Sequence, residues 1–350
     1  MKSYFLFFLL FCLFISETIN AAIWTIGEGQ QFASINVAMS DSRVVDGDEL
    51  VIAGDLTTAY DYFQEQNVTK RVTVTGNGFK DYNQTYTNIS LVAEGTVLRL
   101  FTANFINIGA NNVVVERCKS IQIKGKVGTI HNNATIRGCW VTGGIVAGYY
   151  PTSAGSADGW TIHNCIILGG GTFIISLDNA VINHNLIVKR ESFLAIFPNA
   201  FTKGTLTNNI ILDLSTQDKI FSDWNAQTII NRNIFSSTPK SYTSQNKGGY
   251  TKAQLFVCLG DEDSEAYWKL SATSPAKGYA TDFTDCGPWR GTFPYLEGGG
   301  VKPEEPTSIV TQDCSIEEIQ DVYNLMGQKQ ALGNLQSAIY IINGRKVFIK

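Results

Sequence analysis

Charged residues are scarce in this sequence, and several patterns that define common protein classes are missing. Asp, Glu, Lys and Arg account for 17% of the 350 residues, the formal net charge is −4, and no run of basic residues occurs. This composition disfavours nucleic acid as a partner. Zinc-type Cys-x-x-Cys and Cys/His spacings are absent. After residue 21 no stretch of about 18 apolar residues occurs, so no transmembrane span is predicted in the mature chain.

The one long apolar run lies at the N-terminus. Lys2 gives residues 1–21 a basic start, the segment from Tyr4 to Ile15 is apolar, and the small residue Ala21 lies near the expected cleavage point. This is the pattern of a secretory signal peptide. We therefore expect a secreted protein, either released or attached to the cell surface, in a compartment where disulfides can form.

The rest of the chain contains a repeat. An apolar residue is followed by two mostly polar residues, then by Cys or Asn, then by two residues that are usually apolar. Successive copies are 21, 26, 20, 24 and 24 residues apart, and a period of this length is typical of solenoid proteins. The Cys/Asn position is filled by Cys118, Cys139, Cys165, Asn185, Asn209 and Asn233.

The composition of the repeat predicts strands and not helices. It is rich in Ile, Val, Thr and Asn, with glycine nearby. A repeat of about 22 residues holds three short strands and three turns, stacked in parallel on the next repeat. We therefore predict an all-β parallel β-helix with the Cys/Asn position at an interior bend. There Asn tolerates unusual backbone angles and bonds to the next amide in a ladder, and Cys accepts burial, so the position is structural.

The chain resembles the right-handed parallel β-helix proteins of the pectin-lyase-like superfamily over roughly residues 22–297. The segments that carry the resemblance are IWTIGEGQQFASINVAMSDSRVVDGDELVIAG at the start and SPAKGYATDFTDCGPWRGTFPY at the end. The resemblance implies an opening strand, a short capping helix, a turn at residues 46–48 and a strand at residues 49–52. The apolar face of that helix would consist of Phe32, Ile35, Ala38 and Met39.

The tail of the chain has a different character, with short strand-like runs and Asn343-Gly344 as a predicted hairpin turn. A linker rich in Gly, Pro and Glu at residues 297–308 separates the predicted β-helix, residues 22–296, from residues 309–350. The tail resembles the C-terminal sorting segment of Bacteroidota proteins exported by the type IX system, with Ala338 where Gly is usual. This implies the secretion machinery as a partner; the alternative is a small β-rich appendage. The matching residues are Tyr323, Asn324, Gly327, Gln328, Tyr340, Ile341, Gly344, Lys346 and Lys350.

No complete catalytic set known on this fold is present. There is no Gly-His-Gly, and His131, His163 and His184 occupy different positions of the repeat, so they are interpreted as surface or turn histidines. The primary prediction is therefore a protein that binds extracellular polysaccharide without catalysis and without a cofactor. Whether the protein is an enzyme stays open, and a structural or adhesive surface protein is a further alternative.

A polysaccharide lyase acting on an acidic glycan is the enzymatic alternative. Lys189 and Asp213 each lie four residues after a ladder Asn, so they are predicted to stack about 5 Å apart on adjacent turns. Lys189 or Arg190 would be the base, with Asp213, Asp218 or Glu191 around a Ca²⁺ ion that neutralises the substrate acid. The structural alternative is a surface ion pair.

Two further predictions concern an insertion and a disulfide. Tyr149 and Tyr150 lie in the insertion that lengthens one interval to 26 residues, and insertions in solenoids form loops on one face, where tyrosine rings stack on sugars. Cys258 and Cys286 are the pair predicted to form a disulfide. The three ladder cysteines are expected to stack as thiols, although neighbouring turns could also bring two of them within bonding distance.

Overall fold

The computed structural model describes most of the first 288 residues and three short segments of the tail. The chain divides into two compact units, Met1–Val301 and Lys302–Lys350, and the division falls inside residues 297–308. Residues 1–20 of the predicted signal peptide lie outside the described part. The described ranges are 21–56, 64–78, 86–147, 158–169, 179–188, 195–197, 203–212, 219–221, 228–236, 245–258, 260–288, 322–324, 338–342 and 345–349.

The first unit is an all-β parallel β-solenoid with few helices, which confirms the predicted fold class and is consistent with a right-handed parallel β-helix. Two ten-stranded sheets, sheet A and sheet B, run along it, and within each sheet the neighbouring strands are parallel. Neighbours in a sheet are separated in the sequence by one solenoid turn, so each turn rests on the next through backbone hydrogen bonds.

Sheet A is a single path in which each strand bonds to the strand one turn away. Its strands are β1 (Ile23–Ile26), β2 (Glu49–Ile52), β4 (Thr73–Thr75), β6 (Val97–Arg99), β8 (Val114–Glu116), β10 (Thr135–Arg137), β13 (Thr161–His163), β15 (Ala180–Asn183), β18 (Gly204–Thr207) and β21 (Thr228–Asn231).

Sheet B runs beside it, and β12 adds a side pairing to β9. Its strands are β3 (Gln66–Val68), β5 (Tyr86–Leu91), β7 (Thr102–Ile108), β9 (Lys119–Gly125), β11 (Trp140–Val141), β12 (Ile145–Val146), β14 (Ile166–Ile167), β16 (Leu186–Val188), β19 (Ile210–Leu212) and β22 (Ile234–Phe235). A separate parallel pair consists of β17 (Ala195–Phe197) and β20 (Lys219–Phe221).

The apolar residue three positions before each ladder residue is the centre of a sheet A strand. These residues pair in one register from turn to turn, and all of them are buried in the interior of the solenoid. They alternate with more exposed neighbours, which is what a strand with one buried face requires. The set is Val115, Ile136, Ile162, Ile182, Leu206 and Ile230.

The predicted opening elements are present. Helix α1 spans Ile35–Ser40, begins after the N-cap Ser34, and buries Ile35, Ala38 and Met39. Gly47, in the turn before β2, has φ +97, a left-handed conformation that suits glycine. The role of α1 as an end cap stays a prediction. None of the helices in the described ranges has the length and apolar character needed to cross a bilayer.

Residues 250–288 pack onto the solenoid through a second apolar cluster. They contain α2 (Lys252–Leu255) and a 3₁₀ helix, η1 (Glu265–Trp268). This cluster also includes the outward side chains of sheet B from β11 onward, so both faces of those strands are buried. The cluster comprises Trp140, Ile166, Leu168, Leu186, Val188, Ile210, Leu212 and Ile234 with Leu255, Phe256, Trp268, Leu270, Ala276, Ala280 and Cys286.

The predicted disulfide between Cys258 and Cys286 is wrong, because both are free thiols. The two residues take part in different contacts. Cys286 is buried in the second apolar cluster with its Sγ 3.3 Å from the carbonyl oxygen of Arg232. Cys258 is partly exposed, and its backbone N–H donates to the carbonyl oxygen of Tyr267 at 3.0 Å.

The second unit contains an antiparallel sheet of β23 (Val322–Asn324), β24 (Ala338–Ile342) and β25 (Arg345–Ile349). Ile342 pairs with Arg345, so two residues connect β24 to β25. A two-residue connection is what the Asn-Gly hairpin predicted there requires, although both of those residues lie outside the described part.

Candidate functional site

The three asparagines of the repeat form a hydrogen-bonded column inside the solenoid. The Nδ2 of Asn185 donates to Oδ1 of Asn209 at 2.9 Å, and the Nδ2 of Asn209 donates to Oδ1 of Asn233 at 3.0 Å. The column continues to Asn246, whose Oδ1 accepts from Asn233 at 3.1 Å. Each ladder Asn also donates to a backbone carbonyl of the preceding turn, such as Asn209 to Ile182 at 2.9 Å. These buried amides therefore have structural roles.

The bend of each turn lies one residue earlier than the sequence suggested. The residue immediately before the ladder position has positive φ in every turn from 100 to 232. Asn and Gly adopt this conformation readily, whereas Leu or Arg does so at a cost of about 1–2 kcal/mol. The left-handed residues are Leu100, Arg117, Gly138, Asn164, His184, Asn208 and Arg232.

The ladder cysteines are buried thiols. Cys118, Cys139 and Cys165 are free and fully inaccessible to solvent. Their Sγ atoms lie 3.5–3.7 Å from carbonyl oxygens of the preceding turn. Burial raises the pKa of the Cys118 and Cys165 thiols well above the usual value, because a thiolate would lose its solvation. A buried protonated thiol is a poor nucleophile.

The histidine interpretation is correct in one part and wrong in another. His184 lies at the bend of its turn, as a turn histidine would, but His131 and His184 are buried, at 3% and 2% exposure, and are not surface residues. Nε2 of His131 lies 2.7 Å from the carbonyl oxygen of Ala147, while Nε2 of His184 lies 3.6 Å from a carboxylate oxygen of Asp282. Within the described ranges no group of three His, Cys, Asp or Glu residues could hold a metal ion.

The residues proposed from the sequence for catalysis and sugar stacking lie outside the described part of the chain. This applies to Lys189, Arg190 and Asp213, and also to Tyr149 and Tyr150. Their roles stay predictions.

The described residue group best suited to binding lies on the outer face of sheet B, at the β3–β9 end. Ser90, Asn107 and Lys124 occupy equivalent outward positions on β5, β7 and β9 and pair directly in register. Glu65, just before β3, joins them through hydrogen bonds, and Lys126 lies just after β9. We call these five residues the Glu65 cluster.

Hydrogen bonds hold the acceptor side of the cluster in place. Oε1 of Glu65 accepts from Nδ2 of Asn107 at 2.8 Å and from the hydroxyl of Ser90. The Nδ2 of Asn107 also lies 3.2 Å from Oγ of Ser90. The Ser90 hydrogen bond, the Asn107 amide and the charges of Lys126 and Lys124 lower the pKa of Glu65, against the opposing effect of burial. Glu65 is therefore a carboxylate at neutral pH.

The carbonyl oxygen of Asn107 has no hydrogen-bond partner among the described residues. The side chain is only 9% exposed, and its two Nδ2 contacts fix which atom is the oxygen. Oδ1 of Asn88, which lies on β5 with Ser90, is likewise buried and without a partner in the described ranges. A buried polar atom left unpaired costs about 1–3 kcal/mol, so these two oxygens favour any molecule that brings hydrogen-bond donors to this face.

An aromatic ring completes the surface. Phe105 lies on β7 in register with Asn88 on one side and Gln122 on the other. The ammonium of Lys124 is 4.6 Å from the centroid of the Phe105 ring, a cation–π contact that holds the lysine over this face.

The outer face of sheet A is polar too, but its charges are already paired. Nη2 of Arg99 lies 2.7 Å from Oε1 of Glu49, and Nε of Arg137 donates to Glu116 at 2.7 Å. Both arginine side chains are more than a third exposed, so these pairs contribute little to stability. This surface is interpreted as a solvated face.

The sequence contained a signal for the Glu65 cluster that was missed. Ile-Ser90-Leu, Ile-Asn107-Ile and Ile-Lys124-Gly recur at intervals of 17 residues, shorter than the intervals of the Cys/Asn repeat. Lys124 lies in the turn of Cys118, whereas Phe101 fills the ladder position in the turn of Asn107. The spacing of 17 residues is therefore not visible from the Cys and Asn positions alone.

No protein-family model, curated protein or solved structure matches this chain. The Glu65 cluster differs from the ladder and from the ion pairs of sheet A in one respect. It combines the buried Oδ1 of Asn107, which has no partner among the described residues, with two lysine ammonium groups, and the same outer face also carries Asn88 and the Phe105 ring.

Proposed function

We propose that this chain is a secreted or cell-surface β-helix protein, related to the pectin-lyase-like superfamily, that binds extracellular polysaccharide at the Glu65 cluster. The observation that carries the proposal is the buried, unpaired Oδ1 of Asn107. Sugar hydroxyls both donate and accept hydrogen bonds, so one hydroxyl can donate to Asn107 while a neighbour accepts from Lys124.

The shape of the surface supports a polymeric ligand. Ser90, Asn107 and Lys124 lie on adjacent strands, about 4.8 Å apart. Phe105 offers an apolar surface for the C–H groups of a sugar ring. A row of equivalent positions along a solenoid suits an extended chain better than a compact metabolite.

The ionisation of Glu65 favours binding over cleavage. A general acid must be protonated at the working pH, and a general base needs a pKa near that pH. The pKa of Glu65 is lowered from its ordinary value, so this carboxyl suits neither role. Its hydrogen bond to Nδ2 instead fixes the orientation of the Asn107 amide, whose buried Oδ1 has no partner among the described residues.

The termini complete the proposal. A signal peptide at residues 1–21 and a sorting-type tail at residues 309–350 would deliver the β-helix to the outside of a Bacteroidota-type cell. Outside the cell the protein would meet extracellular polysaccharides, which are polymers rich in hydroxyl groups.

Affinity electrophoresis of the full chain in gels containing acidic and neutral polysaccharides tests the proposal, with and without Ca²⁺. At least one polysaccharide is expected to retard the protein, and Asn107→Ala is expected to weaken retardation about tenfold, by loss of a buried hydrogen bond. Asn231→Ala is the matched control, because its Oδ1 is also buried and unpaired but lies on sheet A.

Two results would contradict the proposal: no retardation by any polysaccharide, or equal loss of retardation in Asn107→Ala and Asn231→Ala. Mixtures of the protein with each polysaccharide are also analysed by mass spectrometry for chain fragments. Unsaturated fragments would identify a lyase and so overturn the non-catalytic role.

A further inference from the structure

We infer that the three ladder cysteines are a site of oxidation, at which one disulfide forms between neighbouring solenoid turns and joins Cys139 either to Cys118 or to Cys165. The structure shows all three as reduced thiols. The inference goes beyond the proposed function, because it concerns the interior of the solenoid and does not depend on any ligand of the Glu65 cluster.

The backbones of the three cysteines are stacked directly on one another. The residues that follow them, Lys119, Trp140 and Ile166, pair in register. The N–H of Trp140 donates to the carbonyl oxygen of Cys118 at 2.9 Å, and the N–H of Ile166 donates to that of Cys139 at 2.9 Å. Backbones paired in this way are about 4.8 Å apart. This spacing falls within the range of about 4.4–6.8 Å between Cα atoms that a disulfide requires.

The three thiols have the same orientation inside the solenoid. The Sγ of each lies 3.3–3.4 Å from the carbonyl oxygen of the residue two positions earlier. It also lies 3.5–3.7 Å from a carbonyl oxygen of the preceding turn. Because these contacts are equivalent in every turn, the sulfurs form a column along the solenoid. Rotation of one side chain about its Cα–Cβ bond can therefore direct its sulfur towards the next.

The ends of the column fix which pairs can form. Phe101 fills the equivalent position on one side and Asn185 on the other, where Oδ1 of Asn185 accepts from the N–H of Cys165 at 2.9 Å. Cys118 and Cys165 are two turns apart, about 9.6 Å, which is too far for a disulfide. Cys139 is therefore a member of either possible disulfide, and one ladder thiol is always left over.

The reaction is a two-electron oxidation by a small disulfide, such as glutathione disulfide. The thiolate of Cys139 attacks one sulfur of the oxidant, forms a mixed disulfide and releases one glutathione thiolate. The thiolate of Cys118 or Cys165 then attacks the Cys139 sulfur and releases the second glutathione. Two cysteine thiols are oxidised, one glutathione disulfide is reduced, and the two thiol protons pass to the two glutathione thiolates.

Burial decides when this oxidation takes place. All three thiols are fully inaccessible to solvent in the folded chain, and a buried protonated thiol is a poor nucleophile. We therefore place the exchange in the period when the turns are still stacking, in the oxidising compartment to which residues 1–21 are predicted to direct the chain. Once formed, the disulfide is enclosed in the same core.

Oxidative refolding of the full chain tests the inference. The protein is unfolded in urea with dithiothreitol and refolded in a glutathione redox buffer, and the remaining thiols are then blocked with iodoacetamide. Digestion with trypsin and chymotrypsin followed by mass spectrometry identifies the linked peptides. Peptides that join Cys139 to Cys118 or to Cys165 are expected. Full alkylation of all three cysteines, or a link between Cys118 and Cys165, would overturn the inference.

Three alanine variants form a matched set. Cys139→Ala is expected to abolish the ladder disulfide, whereas Cys118→Ala and Cys165→Ala should each keep one, because a neighbouring pair remains. Each variant removes the same sulfur from the same column, and its thermal midpoint in dithiothreitol reports whether it still folds. A ladder disulfide that persists in Cys139→Ala, or that is lost equally in all three variants, would contradict the inference.

Unfolding in urea supplies an independent measurement. The disulfide would close a loop of 21 residues to Cys118 or of 26 residues to Cys165. The oxidised wild-type chain should therefore unfold with an equilibrium constant about a hundredfold smaller than the same chain in dithiothreitol. In Cys139→Ala the difference between the two conditions should disappear. Equal urea midpoints for the oxidised and reduced wild-type chain would overturn a bond between natively stacked turns.

Discussion

At the scale of single residues, the interior column shows that Cys and Asn can fill the same position of the repeat without being equivalent. An asparagine there makes hydrogen bonds in both directions along the solenoid, as Asn209 does with Asn185 and Asn233. A cysteine at the same position makes only weak contacts to carbonyl oxygens, as Cys139 does with Val115 at 3.5 Å. The Asn half of the column is therefore held by strong hydrogen bonds, and the Cys half by weaker contacts of the thiols.

This difference predicts unequal costs of truncation. Asn209→Ala removes donors to Ile182 and Thr207 and the acceptor for Asn185, so it should lower the free energy of unfolding by about 3 kcal/mol or more. Cys139→Ala loses mainly burial of the sulfur and should cost about 1 kcal/mol. Urea unfolding followed by circular dichroism measures both, and equal costs would contradict a hydrogen-bonded role for the ladder.

At the scale of elements, sheet B changes its outer face along the solenoid. At the β5–β9 end the outward residues are Ser90, Asn107 and Lys124, and from β11 onward they are apolar and covered. The two consecutive apolar residues after most ladder positions predicted this covered face, because a strand that is apolar at consecutive positions is buried on both faces. Which segment covers that face was not predictable, since apolar burial has no directional signature.

Trp268 is the residue of η1 on which that covering layer depends most. It is fully buried, packs edge-on against Phe256 at 5.3 Å between ring centroids, and donates from Nε1 to Glu262 at 2.7 Å. Trp268→Ala should therefore lower the free energy of unfolding by about 3–5 kcal/mol and increase binding of a hydrophobic dye. The control is Trp268→Phe, which keeps most of the apolar area; a dye signal equal to that of the alanine variant would argue against a packing role.

At the scale of the whole molecule, each turn of the solenoid is stabilised by its two neighbours. Unfolding of such a structure is governed by contacts between adjacent turns, so the position of a defect along the axis matters. Ile162 on β13 is paired with strands of neighbouring turns on both sides, whereas Ile26 on β1 is paired with a strand only through β2 and has a single-residue bridge to Phe32 on its other side.

An equal loss of volume at these two positions should therefore have different consequences. Ile162→Ala is expected to cost about 2–5 kcal/mol and to broaden the urea transition, because the two halves of the solenoid would unfold separately. Ile26→Ala should fray one end and leave the slope of the main transition unchanged. The urea unfolding of each variant is followed by circular dichroism and by tryptophan fluorescence. Identical transitions for the two variants would contradict this account.

The sequence by itself determined the architecture, because the repeat spacing, the apolar residue before each ladder position and the turn at residues 46–48 are local patterns with one structural solution. It also predicted the strands of the tail around their hairpin. It placed the bend at the ladder residue and not at the left-handed residue before it, because positive φ at Leu100 or Arg117 has no signature in residue type.

Only the tertiary structure decided what lies on the surface and what is covered. Glu65 meets Asn107 through a hydrogen bond across 42 residues of sequence, and His131 and His184 are buried by distant segments. The same packing leaves Cys258 and Cys286 as separate free thiols. The physical reason is that the stacking of turns brings together residues that are remote in the chain, and unpaired atoms such as Oδ1 of Asn107 exist only once those turns are stacked.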